Sequence, residues 1–409
     1  MKKLLFVILF FVTLFTQGQD PSFSQFDLNM MYSNAAFAGY EGTTKSLLHS
    51  RNQWNKLNEK FNNSIFEIST NIKLNPNHNK DATLWNPGIG IITEDLRFKS
   101  SIGNDIFLDK TEVSLYPFTF HKRIDFKIGK LNIENLWLSF GTGIHYRAYR
   151  ANTNNLIFSG QWGQYGYFNP VPTVLLNEYD GGILDQVDVS SGFILTRHGR
   201  YQTTKGNRLM AGWSLNHIRR PNEALFDDDG YNSKIPMKSI VHAEWFYGIP
   251  LFKRPFIPYF KTVFKHERYI DDFSKAILPW KESLISKTEF GGTAFINNTP
   301  IELGTFYRID HNFDKNYHMQ TFIPIIRYRI NRNNLWVISY SYDMNIAGNI
   351  DRLTIGNTGT THEMGIEIYL NGGRGRKGEC PAFMQNSALY KDIYNNGLLN
   401  KRNPKKNFK

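Results

Sequence analysis

From Leu335 to Met344 the side chains of Trp336, Ile338, Tyr340, Tyr342 and Met344 fall on one face, while Val337, Ser339, Ser341 and Asp343 fall on the other. A period of two is that of a strand, whose successive side chains point to opposite faces. The stretch 362–370 repeats it, with Met364, Ile366, Ile368 and Leu370 opposed to Glu363, Gly365 and Glu367. Earlier, Leu138, Phe140, Ile144 and Tyr146 alternate with Ser139, Gly141, Gly143, His145 and Arg147. Alternating or β-rich segments are predicted near 42–51, 63–73, 85–95, 110–121, 135–146, 187–197 and 207–217. They continue near 237–248, 256–266, 287–296, 300–309, 321–330, 334–344 and 362–370. One such hairpin fits a soluble sheet equally well. Fourteen of them, long and aromatic, exceed an ordinary β-sandwich and match an even-numbered transmembrane antiparallel β-barrel of the outer-membrane type.

The connections carry a second pattern. Stretches 297–299, 331–333 and 249–255 are short, whereas 311–320, 267–286 and 345–361 are long, as expected for short periplasmic turns alternating with longer external loops. This arrangement puts both termini on the periplasmic side. The longest external excursion is then Tyr149 to Gln186, which carries Trp162, Tyr165, Tyr167 and Phe168. Aromatic side chains suit a partner surface, and a loop folded inward to close the lumen is the alternative.

The N-terminus changes the compartment. Lys2 and Lys3 precede an apolar run from Leu4 to Phe15 and a small or polar stretch to Gly18, the layout of a secretory signal peptide. The run is too short for a transmembrane helix, which needs roughly 20 apolar residues. The expected organisation is a signal peptide over 1–18, a periplasmic or plug segment over 19–41, the barrel over 42–370 and a basic periplasmic tail over 371–409. Residues 19–42 lack sustained periodicity and read as an extended lead into the first strand. Aromatics make up 15% of the chain although its mean hydropathy is -0.42. A barrel with apolar residues only on its outer face explains both values.

The net charge of +12 is largely terminal, since Lys2, Lys3 and the tail beyond Asn371 hold most of the excess. It therefore does not suggest a nucleic-acid-binding surface. The single Cys380 excludes a disulfide framework.

Three motifs carry a family resemblance. The first is Gln19, Asp20, Pro21, Phe23, Ser24 and Gln25, followed by Asn29, Tyr32, Asn34, Ala36, Ala38 and Gly39. The second is Arg51, Asn52, Gln53 and Trp54, and the third joins Ser341, Tyr342, Asp343 and Asn345 to His362, Glu363, Gly365 and Glu367. In this order they resemble the PorP/SprF family of outer-membrane proteins of the type IX secretion system. The resemblance implies an accessory barrel in outer-membrane lipid that binds a secreted adhesin or its C-terminal sorting domain, and touches secretion components in the periplasm. A solute channel without protein cargo is the alternative.

No catalytic constellation is legible. Ser139 and His145 share a face but lie about 20 Å apart at strand rise, and Glu363 and Glu367 about 13 Å. His311, His318 and His362 lack metal-site spacing. The run from Gly372 to Gly378 lacks the Walker spacing and reads as a flexible basic linker. The expectation is a non-enzyme with no cofactor and no metal.

Overall fold

A computed structural model describes residues 23–40, 44–53, 59–73, 83–99, 105–128, 131–151, 162–163, 166–167, 183–198, 208–221, 235–248, 258–270, 284–296, 299–312, 318–331, 335–347 and 361–370. Fourteen strands form the wall. The first seven are β1 (Thr44–Gln53), β2 (Glu59–Ser69), β3 (Gly88–Lys99), β4 (Asp105–Ile128), β5 (Leu131–Ala151), β6 (Ile183–His198) and β7 (Arg208–Asn216). The rest are β8 (Met237–Gly248), β9 (Pro258–Ile270), β10 (Leu284–Ile296), β11 (Ile301–Asn312), β12 (His318–Asn331), β13 (Leu335–Ala347) and β14 (Thr361–Leu370). Each pairs antiparallel with its sequence neighbours. Closure comes from β1 against β14, in a register from Thr44↔Leu370 to Asn52↔His362. Every predicted segment overlaps one of these strands, in order.

The alternation sets which face meets lipid. Leu48, Phe118, Leu303 and Met364 are among the outward side chains, and the last three are 56–59% exposed. A wall closed on itself leaves no strand edge unpaired, the condition for crossing a bilayer with strands. Near the end where β1 begins, Trp245, Tyr247 and Phe260 stack on the outer surface at centroid distances of 4.5 and 5.5 Å. Trp336 and Tyr328 lie at the same end of their strands, which makes an aromatic rim of the kind found at a membrane interface.

Differences from the sequence reading concern strand ends. Strands β4 and β5 have 24 and 21 residues and pair from Leu108↔Ala151 to Ile128↔Leu131, well past the predicted 110–121 and 135–146. Backbone pairing continues past those bounds, each strand satisfying the other's polar backbone groups. The register slips between Leu115 and Phe118, around Pro117, which has no N–H to give to the ladder.

Residues 149–151 and 183–186 likewise belong to strands, paired as Arg150↔Ile183 and Arg147↔Gln186, so the longest excursion narrows to 152–182. The connection expected over 311–320 shrinks to 313–317, because β11 and β12 stay paired as far as His311↔His318. The end of the barrel holding 152–182, 271–283 and 348–360 is called the loop mouth below. The other holds 129–130, 297–300 and 332–334, together with the start of β1 and the end of β14, and is called the turn mouth.

Residues 23–40, within the stretch read as an extended lead and as a periplasmic or plug segment, are not extended but compact, and lie inside the barrel. They contain a short helix, α1 (Met30–Ser33), and a 3-10 turn at Ala35–Phe37. Phe26, Met30, Met31, Ala35, Ala36, Phe37, Ala38 and Tyr40 form one apolar cluster with Tyr116, Ile194, Met210, Val263, Phe306, Ile323 and Ile325 of the wall. Burying side chains the size of Phe26 or Met31 stabilises by roughly 1.5–3 kcal/mol each. The apolar core therefore sits in the lumen, around the N-terminal segment.

Candidate functional site: the lumen segment and the closing seam

The three motifs converge at one place. Ser24 donates its backbone N–H to Glu363 Oε1 at 2.7 Å and its hydroxyl to Asp343 Oδ2 at 2.6 Å. Gln25 donates its N–H to Glu363 Oε2 at 3.2 Å, and its side-chain amide donates to Ser341 Oγ at 3.0 Å. Arg51, on β1, pairs with both Glu363 and Asp343 and donates to Ser24 Oγ at 2.6 Å. Arg308 donates to the same hydroxyl at 2.9 Å and reaches Asp343 at 3.3 Å. Phe23 lies against the ring of His49, centroids 4.8 Å apart, and His49 Nδ1 is 2.6 Å from the Asn29 amide. A buried carboxylate needs partners for its charge and its lone pairs. Glu363 obtains them from β1 and from the lumen segment together, so one cluster ties the segment to the junction of first and last strands.

Two further anchors follow along the segment. Asp27 accepts a bidentate pair from Arg327, both distances 2.6 Å, and is also bonded by Lys261, while Glu302 holds Arg327 at 3.1 Å. Burial alone raises the Asp27 pKa, but the Arg327 guanidinium and Lys261 ammonium outweigh it and hold the carboxyl well below the usual carboxylate range. The side chain of Asn34 caps the 3-10 turn by accepting from Ala36 N at 3.0 Å. Its amide reaches the carbonyls of Phe193 and Trp213 at 3.3 Å and His242 Nε2 at 3.0 Å.

At the far end, Ala38 O lies 3.0 Å from His121 Nε2, and Tyr40 Oη 2.8 Å from Thr196 Oγ1. Gly39 has φ +62°, and a Cβ there would lie 2.4 Å from that of Asn86. Gly365 admits Leu28, whose Cδ1 would lie 2.7 Å from an added Cβ. A cavity of about 20 Å³ between Leu28, Met31 and Tyr40 and the wall residues Lys45 and Glu67 has room for about one water.

The other sequence-predicted residues stand apart from this cluster. Glu367 pairs with Lys45 at 2.5 Å nearer the turn mouth. Gln53 closes β1 opposite Phe61. Tyr342 points outward and meets the His362 ring edge-on at 5.0 Å. Asn345 is placed only by its pairing with Thr321. Trp162 and Tyr167 pair in a two-stranded ribbon with Gly163 and Gly166. Pro21, Trp54, Tyr165 and Phe168 lie outside the described residues, as do Cys380 and the basic tail.

Sequence reasoning missed Asp27, Lys261, Glu302, Arg308, Arg327 and His242. A signal existed for the strand residues, since Glu302 stands between Ile301 and Leu303 and Arg327 between Ile326 and Tyr328. Such a charge at the inward phase of an alternating strand needs a lumenal partner.

Ser139 and His145 do not meet, and each has a cross-strand partner instead. Ser139 Oγ lies 2.5 Å from His121 Nδ1, and His145 Nε2 lies 2.7 Å from Ser190 Oγ. His145 Nδ1 faces Ser114 Oγ at 2.7 Å and Glu112 Oε1 at 3.1 Å. The order Ser190, His145, Glu112 has the outline of a nucleophile, base and orienting acid. However, Glu112 is bound by Arg147 at 2.6 Å, Ser114 shares Nδ1, and all of these side chains are buried. Among the described residues no group of three or more His, Cys, Asp and Glu is placed to hold a metal ion, and no helix is long and apolar enough to cross a membrane.

Solved structures with a similar fold include the toluene transporter TbuX of Ralstonia pickettii, with a TM-score of 0.42 and 13% identity over 86% of this chain and 95% of that one. The translocator domain of the autotransporter NalP from Neisseria meningitidis gives a TM-score of 0.40 and 10% identity, covering 84% and 94%. A Pseudomonas aeruginosa FadL homologue gives 0.38 and 9%, covering 85% and 94%. No curated protein sequence matches the chain. The family model for the type IX secretion system membrane protein PorP/SprF matches residues 15–368, from ahead of the lumen segment to the last strand, and the chain belongs to that family.

Proposed function

We propose that this barrel is an accessory outer-membrane component of type IX secretion that binds a secreted adhesin or its C-terminal sorting domain at the loop mouth, and supports its export or attachment there without passing it through the lumen. The observation that carries this reading is the filled interior. Residues 23–40 occupy the lumen and are held by Glu363, Asp343, Arg51, Arg327 and Lys261, charged groups that are expensive to strip of their partners. A conduit for a polypeptide would have to break these contacts at every passage, whereas an anchor needs only a rigid wall and an exposed mouth. Periplasmic secretion components would meet the turn mouth and the basic tail. The action is binding, and no step of covalent chemistry is assigned to the chain.

Mild detergent extraction from the native outer membrane, followed by mass spectrometry, tests the reading. A very large secreted protein or secretion components should travel with the barrel. Deleting the connection 152–182 should release that cargo from the surface while the barrel stays inserted. Recovery of the barrel alone, together with steady ion conductance in a planar bilayer, would favour the solute channel instead.

A further inference from the structure

The second half of the lumen segment is held in a different way from the first. Ser24, Gln25 and Asp27 are fixed by charged partners, whereas Ser33 to Ala38 are held by hydroxyl, imidazole and main-chain groups from five consecutive strands, β4 to β8. Ser214 Oγ on β7 donates to Ser33 O at 2.7 Å, and Thr119 Oγ1 on β4 donates to Ala35 O at 3.3 Å. His121 Nε2, also on β4, donates to Ala38 O at 3.0 Å. Three wall side chains thus grip three main-chain carbonyls of one short turn. Main-chain bonds of this kind hold a peptide, and pockets for its side chains select it.

Asn34 enters such a pocket. Its oxygen is committed to Ala36 N–H, so its nitrogen is the end that faces His242 Nε2 on β8 and the carbonyls of Phe193 and Trp213. An aspartate of the same size would turn a carboxylate oxygen towards two carbonyl oxygens, so the pocket selects asparagine. Glycine gives the turn its clearance. A Cβ at Gly192 on β6 would lie 2.2 Å from Asn34 Oδ1, and one at Gly141 on β5 would lie 2.5 Å from the main chain of Ala35 and Ala36. Ala35, Ala36 and Ala38 are themselves fully enclosed, and larger side chains there would meet the wall.

We propose that this part of the wall is a peptide receptor, specific for an asparagine followed by a tight turn of alanines, and that residues 33–38 are its ligand in cis. Hydrogen bonds between uncharged groups exchange for bonds to water at small net loss, so the site is of a sort that empties and refills. A free peptide of the same pattern would compete with the tethered segment for it. This goes beyond docking at the loop mouth and does not depend on it.

The test keeps the full chain. A protease site is carried in a flexible insertion between Glu41 and Gly42, and the barrel is folded in detergent, cut, and verified as folded by heat-modifiable gel mobility. The N-terminal fragment should stay with the cut barrel on gel filtration although no covalent bond holds it. A fluorescent peptide of residues 23–40 should enter the cut barrel on prolonged incubation and stay out of the uncut one. Unlabelled peptide should compete with it, and the same peptide carrying Asn34→Asp, which keeps the capping oxygen, should compete about tenfold less well. Loss of the fragment on cutting would overturn the proposal. So would retention without any entry of peptide, since the segment would then be a fixed part of the core. Equal competition by the Asn34→Asp peptide would overturn it too, because recognition would then lie with Ser24, Gln25 and Asp27.

Discussion

At the scale of single residues, Glu363 and Asp27 carry the most consequence. Glu363→Gln keeps the shape but leaves Arg51 short of a charge partner in a buried place. Removing one member of a buried pair costs about 3–5 kcal/mol, so the variant should lose its heat-resistant folded band at a markedly lower temperature on an unheated-versus-heated gel. Asp27→Asn should loosen the segment in the same way, by taking the carboxylate from Lys261 and leaving Arg327 to Glu302. The depressed pKa of Asp27 makes its contribution fully present above the ordinary carboxylate value of about 3.9, and lost only as pH falls below it. Protease protection of the lumen segment in the intact protein should accordingly stay constant between about pH 8 and about pH 5 as far as Asp27 governs it. Ser190, despite its contact with His145, is buried in a wall network, and a fluorophosphonate probe should leave it unlabelled in the folded barrel.

At the scale of elements, the wall was the legible part. Alternation of Leu303, Ile301 and Thr305 with Glu302 and Phe306 can be read because lipid on one side and packed polar groups on the other impose a strict period of two. Phe264 lies on the lipid face near the middle of β9. Phe264→Arg should reduce assembly into the membrane by about 2–4 kcal/mol, measured as the inserted fraction on refolding into vesicles. The lumen segment was not legible as a compact element. Its helix has only four residues, and Asn34, Gly39 and Asp27 acquire meaning only from His242, Asn86 and Arg327, which lie far along the chain. The motif residues Ser24, Arg51, Asp343 and Glu363 were visible as a pattern, but nothing in their spacing showed that they touch. Contact between them depends on which strands close the barrel.

At the scale of the whole molecule, a wall with room for a lumen is filled by its own N-terminal segment. Deleting residues 19–40 from the mature protein should raise single-channel conductance in a planar bilayer far above that of the full-length barrel. Equal conductance for the two would mean that the interior is blocked by something other than residues 23–40. The same segment is fixed by groups drawn from both ends of the chain: Arg51 and His49 stand on β1, while Ser341, Asp343 and Glu363 stand on β13 and β14. The first part of the protein to be made is thus locked by the last. A nascent chain truncated before β13 would have neither the acceptors for Ser24 and Gln25 nor a partner strand for β1. Docking of the segment therefore acts as a completeness check on synthesis, and prematurely ended chains expose Phe23 and Phe26 to periplasmic proteases.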